Sequence, residues 1–418
     1  MTSNDWKEVQ LKDVILFNPR ESIKKGTMAK KISMDKLAPY QKKITGFEYA
    51  EFKSGTKFKN GDTLLARITP CLENGKTAQV DILDDNEIGF GSTEFIVMRE
   101  ISGISDNDFI YYLAISDDFR NIAIKSMTGT SGRQRVQMDV LEQTKLLIPP
   151  LREQKAIANI LSTLDEKIET NNQINEKLEE MAQALFKHWF VDFEFPNENG
   201  KPYKSSGGEM VDSELGMIPK GWEVSSLDKI ADYLNGLPMQ KYRPKEDELS
   251  LPVLKIKELR NGEPDINSDR CSANIEDKYI INDGDIIFSW SGTLMIDIWC
   301  GGKCGLNQHL FKVTSQKYNK WFYYFWIKRH LDRFINIANS KATTMGHIKR
   351  KDLTDSKVLI PTSNVYEKAN EILGTIINDI INLKIESKKL KAVRDILLPK
   401  LMSGEIRVPL DDEVLSEQ

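Results

Sequence analysis

The sequence predicts an α+β fold in which two similar α/β domains are separated by two long helices, as an internal pseudo-two-fold repeat. Two observations lead to this prediction. Short motifs recur in the same order in both halves of the 418 residues, and each half changes once from short β-rich runs to a helical pattern. Each half has about 200 residues, the size of one domain with an added helix.

The repeat is visible in four pairs of motifs, of which the last two pairs lie 212 positions apart. A constant order of matches indicates duplication, with chance similarity of two α/β domains as the alternative. The motifs are Trp6–Val9 (WKEV) and Trp222–Val224 (WEV), NGDTLL at 60–65 and DGDIIF at 283–288, FIYYL at 109–113 and WFYYF at 321–325, and Ile148-Pro149 and Ile360-Pro361.

The helical pattern follows these prolines in each half. Apolar residues recur there with steps of four and three, which is the seam of a coiled coil, and two seams of similar length are natural partners. The alternative is that each helix packs on its own domain. The predicted seam residues are Ile157, Leu161, Leu164, Ile168, Leu178, Leu185, Leu373, Ile376, Ile380, Leu383, Leu390 and Leu397.

The change of pattern and the turn-forming composition between the halves give the expected boundaries. They are a first domain over 1–150, a central helix over 151–195, a linker over 196–219, a second domain over 220–361, a distal helix over 362–403 and an acidic tail over 404–418.

Charge distribution narrows the classes of function. The net charge of −4 argues against an indiscriminate polyanion binder, yet residues 1–150 carry 21 basic and 21 acidic side chains and residues 196–350 carry 22 and 20. The acidity therefore lies in the helices and the tail.

The sequence contains no run of about 18 apolar residues, so no membrane span is predicted. Its four cysteines fit a reducing cytoplasm.

No catalytic motif is found. The sequence lacks a phosphate-binding glycine loop, a His-Glu-x-x-His and a Gly-x-Ser-x-Gly. Cys300 and Cys304 with His309 have zinc-like spacing but no evident fourth ligand, so two ordinary free cysteines are the expected reading.

Basic and amide side chains gather at corresponding strand ends and loops of the two halves. Such groups pair with base edges and phosphates, although a solvated surface is the alternative for each one taken singly. The candidates are Arg67, Lys76, Arg133, Gln134, Arg135, Trp290, Lys303, Asn307, Gln308, His347, Lys349 and Arg350.

Over essentially its whole length the chain resembles the DNA-specificity subunit of type I restriction–modification enzymes. The resemblance rests on the duplicated motifs above, on IPPLREQKAIANIL at 148–161, on FKHWFVDF at 186–193 and on ELGMIPKGW at 214–222. The second half lacks the continuation PLREQ after Pro361, which leaves the start of its helix less defined.

The resemblance implies two target-recognition domains, each reading half of a bipartite site in double-stranded DNA, and two antiparallel helices that act as a ruler. It implies docking of two methyltransferase subunits and assembly with restriction–translocase subunits. It implies that S-adenosylmethionine, ATP and Mg bind to those partners. This chain itself is expected to bind no cofactor and to be non-catalytic. A duplicated coiled-coil adaptor that binds only protein is the alternative.

Overall fold

The computed structural model describes residues 5–130, 132–340 and 346–409, and the chain divides into two compact units. Unit 1 comprises residues 1–167 with 390–418, and unit 2 comprises residues 168–389. The chain therefore leaves unit 1 once and returns to it at the end. In the part of the chain that the structure describes, no helix is both long and apolar enough to cross a membrane.

Unit 1 is built from ten short strands among its described residues. They are β1 Lys7–Gln10, β2 Ile15–Phe17, β3 Met28–Ile32, β4 Glu48–Glu51, β5 Thr56–Phe58, β6 Thr63–Ala66, β7 Thr77–Gln79, β8 Gly89–Gly91, β9 Phe95–Glu100 and β10 Lys145–Ile148. One four-stranded sheet has the order β2-β9-β6-β7 and another has the order β4-β3-β8-β5, while β1 and β10 form a separate ribbon. Only β3 and β8 pair in parallel among these neighbours.

Unit 2 repeats this arrangement. Its strands are β11 Met210–Ser213, β12 Gly216–Pro219, β13 Glu223–Ser226, β14 Asp232–Asn235, β15 Ser250–Leu254, β16 Arg270–Ser272, β17 Ile280–Ile281, β18 Asp285–Ser289, β19 Met295–Trp299, β20 Cys304–Leu306, β21 Leu310–Thr314 and β22 Lys357–Ile360. The sheet orders β14-β21-β18-β19 and β16-β15-β20-β17 and the ribbon β13-β22 match those of unit 1, and β15 pairs in parallel with β20. The two units are therefore similar mixed domains, as the repeat predicts.

The helices complete each unit. They are α1 Asn107–Ile115, α2 Asp117–Lys125, α3 Met138–Gln143, α4 Leu151–Phe190, α5 Leu227–Ile230, α6 Ile256–Asn261, α7 Lys320–Ser340, α8 Arg350–Thr354, α9 Ser363–Ala369 and α10 Thr375–Met402. The five residues Asn370–Gly374 between α9 and α10 form a π-helical turn, so the distal helical segment is interrupted near its start. The repeated aromatic motifs lie on α1 and α7, where the side chains of both are buried.

The repeated Gly-Asp motif is a structural device. Asp62 is fully buried and binds the guanidinium of Arg99 through two hydrogen bonds of 2.6 and 2.7 Å. In unit 2 Asp285 pairs with Lys312 at 2.8 Å. Each carboxylate also accepts a backbone N–H three residues earlier, at 2.8 Å and 2.9 Å. The motif therefore joins the turn before β6 or β18 to the strand beside it, and this role explains its recurrence.

Each unit also joins its aromatic helix to α4 through a tyrosine. The hydroxyl of Tyr112 donates to Asp165 at 2.7 Å in unit 1, and the hydroxyl of Tyr324 donates to Glu179 at 2.9 Å in unit 2. Burial by itself would raise the pKa of Glu179, but the hydrogen bond and charge of Lys328 hold that pKa below its usual value. The negative charge of Glu179 is therefore a favourable part of unit 2.

Replacement of Glu179 by glutamine is expected to change how the stability of unit 2 depends on pH. Because the folded-state pKa lies below the ordinary value of 4.5, the carboxylate stabilises the fold above that value and loses this effect as pH falls through the folded-state pKa. Urea unfolding of wild type and Glu179→Gln between pH 7 and pH 3 measures this difference. A constant difference over the whole pH range would contradict it.

The sequence predicts a linker over residues 196–219, but in the structure this segment is folded onto unit 2. Strands β11 and β12 form a hairpin there, and Ile218 is buried in the core of unit 2. Next to it, Phe195 stacks on both Tyr203 and Trp222 with centroids 4.5 and 5.2 Å apart. The segment contains few apolar residues at irregular spacing, so it shows no strand pattern although these few are enough to attach it to the core.

The motif PLREQ after Ile148 has a defined role in unit 1. Glu153 is buried and accepts hydrogen bonds from the indole of Trp6 at 2.9 Å and from the guanidinium of Arg407 at 2.8 and 2.9 Å. Gln154 contacts the backbone before α1, accepting from the amide of Asp106 at 3.2 Å. The start of the predicted tail, of which residues 404–409 are described, is thus attached to unit 1, and residues 410–418 lie outside the described chain.

All twelve predicted seam residues are buried or half-buried. Ile157, Leu161 and Leu397 belong to the core of unit 1, while the core of unit 2 includes Leu178, Leu185, Leu373, Ile376 and Ile380. The seam also contains a buried charge that its apolar pattern conceals. Arg394 donates to Asp165 at 2.6 Å, and burial is outweighed by this carboxylate so that the pKa of Arg394 is raised.

Candidate nucleic-acid interface

Three segments of unit 1 meet at the end of the β2-β9-β6-β7 sheet. Arg67 follows β6 directly, Glu94 precedes β9, and Arg135 lies in the loop before α3. The loop is fixed to the end of β6 by the backbone bond from Val136 N to Arg67 O at 2.9 Å. We call this group of Arg67, Glu94 and Arg135, with its neighbours Arg133 and Gln134, the unit 1 crossing.

Charge organises the unit 1 crossing. The Nε and Nη2 atoms of Arg135 donate to both carboxylate oxygens of Glu94 at 2.7 to 3.0 Å, and Arg67 lies 4.0 Å from the same carboxylate. The hydrogen bond from Arg135 holds the pKa of Glu94 below its usual value. Two arginines around one carboxylate leave a net positive group at the surface, since the side chain of Arg135 is 41% exposed and Arg133 is exposed.

Unit 2 has the same crossing with different side chains. Trp290 follows β18, His309 precedes β21, and His347 lies in the segment before α8. The backbone bond from Ile348 N to Trp290 O at 3.0 Å corresponds to the one in unit 1. We call Trp290, His309 and His347, with the neighbouring Asn307 and Gln308, the unit 2 crossing.

Rings rather than ions fill the unit 2 crossing. The centroid of Trp290 lies 6.1 Å from that of His309 and 6.3 Å from that of His347. The indole N–H of Trp290 donates to the Asn235 side chain at 3.0 Å, and Ser291 Oγ lies 2.9 Å from His309 Nδ1. Ring faces and imidazole nitrogens can stack on bases or bond to base edges.

A cleft of about 780 Å³ adjoins the unit 2 crossing, because Asn307, Gln308 and His309 form one of its walls. Four cationic side chains line the rest together with Gln240, Asp269 and four apolar residues. The cationic and amide groups can accept a phosphate or a base edge. The repeat in the sequence does not point to these cations, because they lie in a part of unit 2 that has no matching motif in the first half. They are Arg243, Lys255, Lys257 and Arg270.

Ion pairs already engage part of this cleft. Lys255 binds Asp269 and Lys257 binds Asp265 at 2.6 Å. Arg270 donates to the side chain and the backbone oxygen of Ser250, both at 2.7 Å. These bonds hold the cations in place at the start of α6 and on β16.

The structure thus brings together Arg67, Arg133, Gln134 and Arg135 in unit 1, and Trp290, Asn307, Gln308 and His347 in unit 2. The other four candidates lie apart from these contacts. Lys76 donates to Met34 O at 2.8 Å, Arg350 donates to Tyr233 O at 3.0 Å, Lys349 is the N-cap of α8, and Lys303 is exposed in the turn before β20. Lys76 and Arg350 therefore support the local fold.

The cysteines of the zinc-like motif are buried thiols. Burial raises the pKa of Cys304 to about 12 and also raises the pKa of Cys300, which disfavours the thiolate that a metal requires. Within residues 5–130, 132–340 and 346–409 no group of three histidine, cysteine or acidic side chains is placed to hold a metal ion.

Comparison with known proteins identifies one family. The model of the type I restriction modification DNA specificity domain matches residues 3–180 and again residues 219–392. The chain is 29% identical to the MjaIX type I restriction enzyme specificity subunit of Methanocaldococcus jannaschii over 72% of this chain and 69% of that protein. It is 25% identical to the HindI specificity subunit of Haemophilus influenzae over 83% and 87% of the two chains.

A solved structure shows the same fold. The type I restriction–modification system S subunit from M. genitalium aligns with 96% of this chain and 97% of its own length, with a TM-score of 0.56 at 15% identity. At that identity the likeness concerns the fold alone.

Proposed function

The chain belongs to the type I restriction modification DNA specificity domain family, and from this we propose that it is the sequence-specificity subunit of a type I restriction–modification complex. The observation that carries the proposal is the pair of equivalent crossings, one in each of two similarly folded units. Two such surfaces suit a bipartite DNA site, with one half-site for each unit. The chain itself is non-catalytic, and catalysis belongs to its partner subunits.

We further propose that α4 and α10 pair as antiparallel helices and set the spacing between the half-sites. Contacts within each unit support this. In unit 1, Glu153 and Asp165 bind Arg407 and Arg394, and in unit 2 Asn171 donates to Glu386 at 2.8 Å. Residue numbers rise along α4 while those of its contacts fall, which is the order of an antiparallel pair.

The same helices offer docking sites for partners. Ile174 and Met181 on α4 and Val393 and Ile396 on α10 are exposed apolar side chains. Removal of an exposed apolar side chain from water by a partner protein is favourable. We propose that two methyltransferase subunits dock on this pseudo-two-fold pair of helices, that restriction subunits join the complex, and that S-adenosylmethionine, ATP and Mg bind to those subunits.

Exchange of residues 1–150 for the corresponding domain of a relative is expected to change one half of the methylated DNA motif. The second half should stay as it is, because unit 2 reads it. The measurement is a map of methylated bases in cells that express the chimera with the methyltransferase subunit of the system. The matched control is exchange of residues 220–361, which should change the other half, and an unchanged motif in both chimeras would refute the proposal.

A protein-binding adaptor is the competing function. It is distinguished by a mobility shift of duplex DNA with the chain and its methyltransferase partner at low and high salt. A specificity subunit gives a shift that weakens as salt rises, because phosphate contacts release counterions. Absence of any shift at low salt would favour the adaptor.

A further inference from the structure

The duplication provides an internal control for the role of each position. Interactions that maintain the fold recur in both units, since the carboxylates of Asp62 and Asp285 each pair with a basic side chain of the neighbouring strand, Arg99 in unit 1 and Lys312 in unit 2. Tyr112 also has a counterpart, since Tyr324 donates to a carboxylate of the same helix. Both of these interactions are therefore present in the two copies of the domain.

The crossings behave in the opposite way. Their backbone bonds correspond, with Thr69 N to Gln134 O at 3.1 Å in unit 1 and Gly292 N to Gly346 O at 2.9 Å in unit 2. Their side chains do not, since Arg–Glu–Arg in one unit replaces Trp–His–His in the other. Two domains that recognise different half-sites require the same backbone arrangement with different side chains on it.

The chemistry of the unit 1 crossing favours one base pair. Arginine binds the O6 and N7 atoms of guanine through two N–H groups, which is the commonest specific contact to a base. In Arg135, Nε and one of the two N–H groups of Nη2 donate to Glu94, whereas Nη1 makes no hydrogen bond to any described residue. The edge formed by Nη1 and Nη2 therefore keeps the two N–H groups that guanine binds. Glu94 also fixes the plane of the guanidinium, so less rotational freedom is lost when a base binds.

We propose that Arg135, positioned by Glu94, reads the guanine of a G·C pair in the half-site bound by unit 1, while the unit 2 crossing reads the other half-site. This rests on the proposed function above. Glu94 acts through Arg135 and is a positioning residue. Unit 2 lacks the arginine and the carboxylate at these places and presents His347 and His309 instead.

The test compares variants of the full chain in complex with its methyltransferase partner. Arg135→Ala and Arg135→Lys are each expected to weaken methylation of the wild-type site about 10- to 100-fold and to relax one G·C position of the unit 1 half-site. Lysine keeps the charge but lacks the two-pronged geometry, so it separates base reading from phosphate attraction. The readout is a methylation map together with competition between duplexes that differ at single base pairs.

Two further variants are controls. Lys145→Ala removes an exposed cation paired with Glu8 in the β1–β10 ribbon and should leave the motif unchanged. His347→Ala should alter only the other half-site. Hydrogen exchange of the unit that carries the substitution shows whether each variant folds, and if Arg135→Ala does not fold, Arg135→Lys and Glu94→Gln decide the question.

Retention of full discrimination at every G·C pair by folded Arg135→Lys would overturn the inference, as would a change confined to A·T pairs or to the other half-site. Failure of the proposed function looks different. In that case the wild-type complex itself would give no bipartite motif.

Discussion

Asp62→Ala is expected to lower the free energy of unfolding of unit 1 by about 3–5 kcal/mol, because it leaves a buried guanidinium without its main partner. Asp62 is completely inaccessible, and the side chain of Arg99 is only 11% exposed. Glu21 remains within 2.6 Å of Arg99 but compensates one N–H group only. Hydrogen exchange of β6 and β9, monitored by mass spectrometry, measures the change in unit 1 separately from unit 2.

The control for Asp62→Ala is its counterpart Asp285→Ala. Asp285 and Lys312 are 20% and 15% exposed, so water can solvate the lysine after the change. The expected loss in unit 2 is therefore smaller, about 1–3 kcal/mol. An equal or larger loss for Asp285→Ala would show that burial of the pair does not determine the cost.

Asp165→Leu is expected to destabilise unit 1 by about 3–5 kcal/mol, since it leaves Arg394 buried between helices without its carboxylate. The side chains of Asp165 and Arg394 are 11% and 9% exposed, and Tyr112 also donates to Asp165. Asp395 contacts Arg394 too, but its side chain is 52% exposed and it offers a weaker, solvated partner. Chemical denaturation followed by hydrogen exchange of α1 is the measurement.

The matched variant removes the whole network at once. The triple variant combines Tyr112→Phe, Asp165→Leu and Arg394→Leu. Its free energy of unfolding should lie within about 1 kcal/mol of the wild-type value, because no polar group of the network is then left buried without a partner. If the triple variant is as unstable as Asp165→Leu alone, the network stabilises unit 1 by more than the mutual neutralisation of its polar groups. The effect of the triple variant on the methylated motif would then show whether the network also orients the recognition surface of unit 1.

Much of the fold could be predicted from the sequence. The repeat of WKEV, NGDTLL and FIYYL was visible because the residues that form turns, buried strands and buried helices must keep their type when a domain is duplicated. The motif PLREQ has no copy in the second half, but it was informative because Glu153 and Gln154 each satisfy several buried groups. The seam was predicted because apolar residues recur there with a period near 3.5 residues, and its pairing as a coiled coil stays a prediction.

The candidate interface was only partly predictable. Arg67 and Arg135 were singled out because they lie at corresponding strand ends and loops, but their shared partner Glu94 was not among the candidates. Sequence spacing of 27 and 41 residues carries no sign of such a contact. The four cations of the cleft were missed entirely, because only the neighbouring segment Asn307–His309 has a counterpart in the first half.

The sequence by itself determined that one domain type is used twice, that long helices follow each copy, and to which family the chain is similar. Those features depend on local periodicity and on residues kept through duplication. Only the tertiary structure decided that residues 210–219 of the predicted linker fold as a hairpin, that Arg394 is buried against Asp165, and which polar side chains converge at each crossing. These features arise from contacts between distant segments, whose energies depend on burial and geometry that no local pattern records.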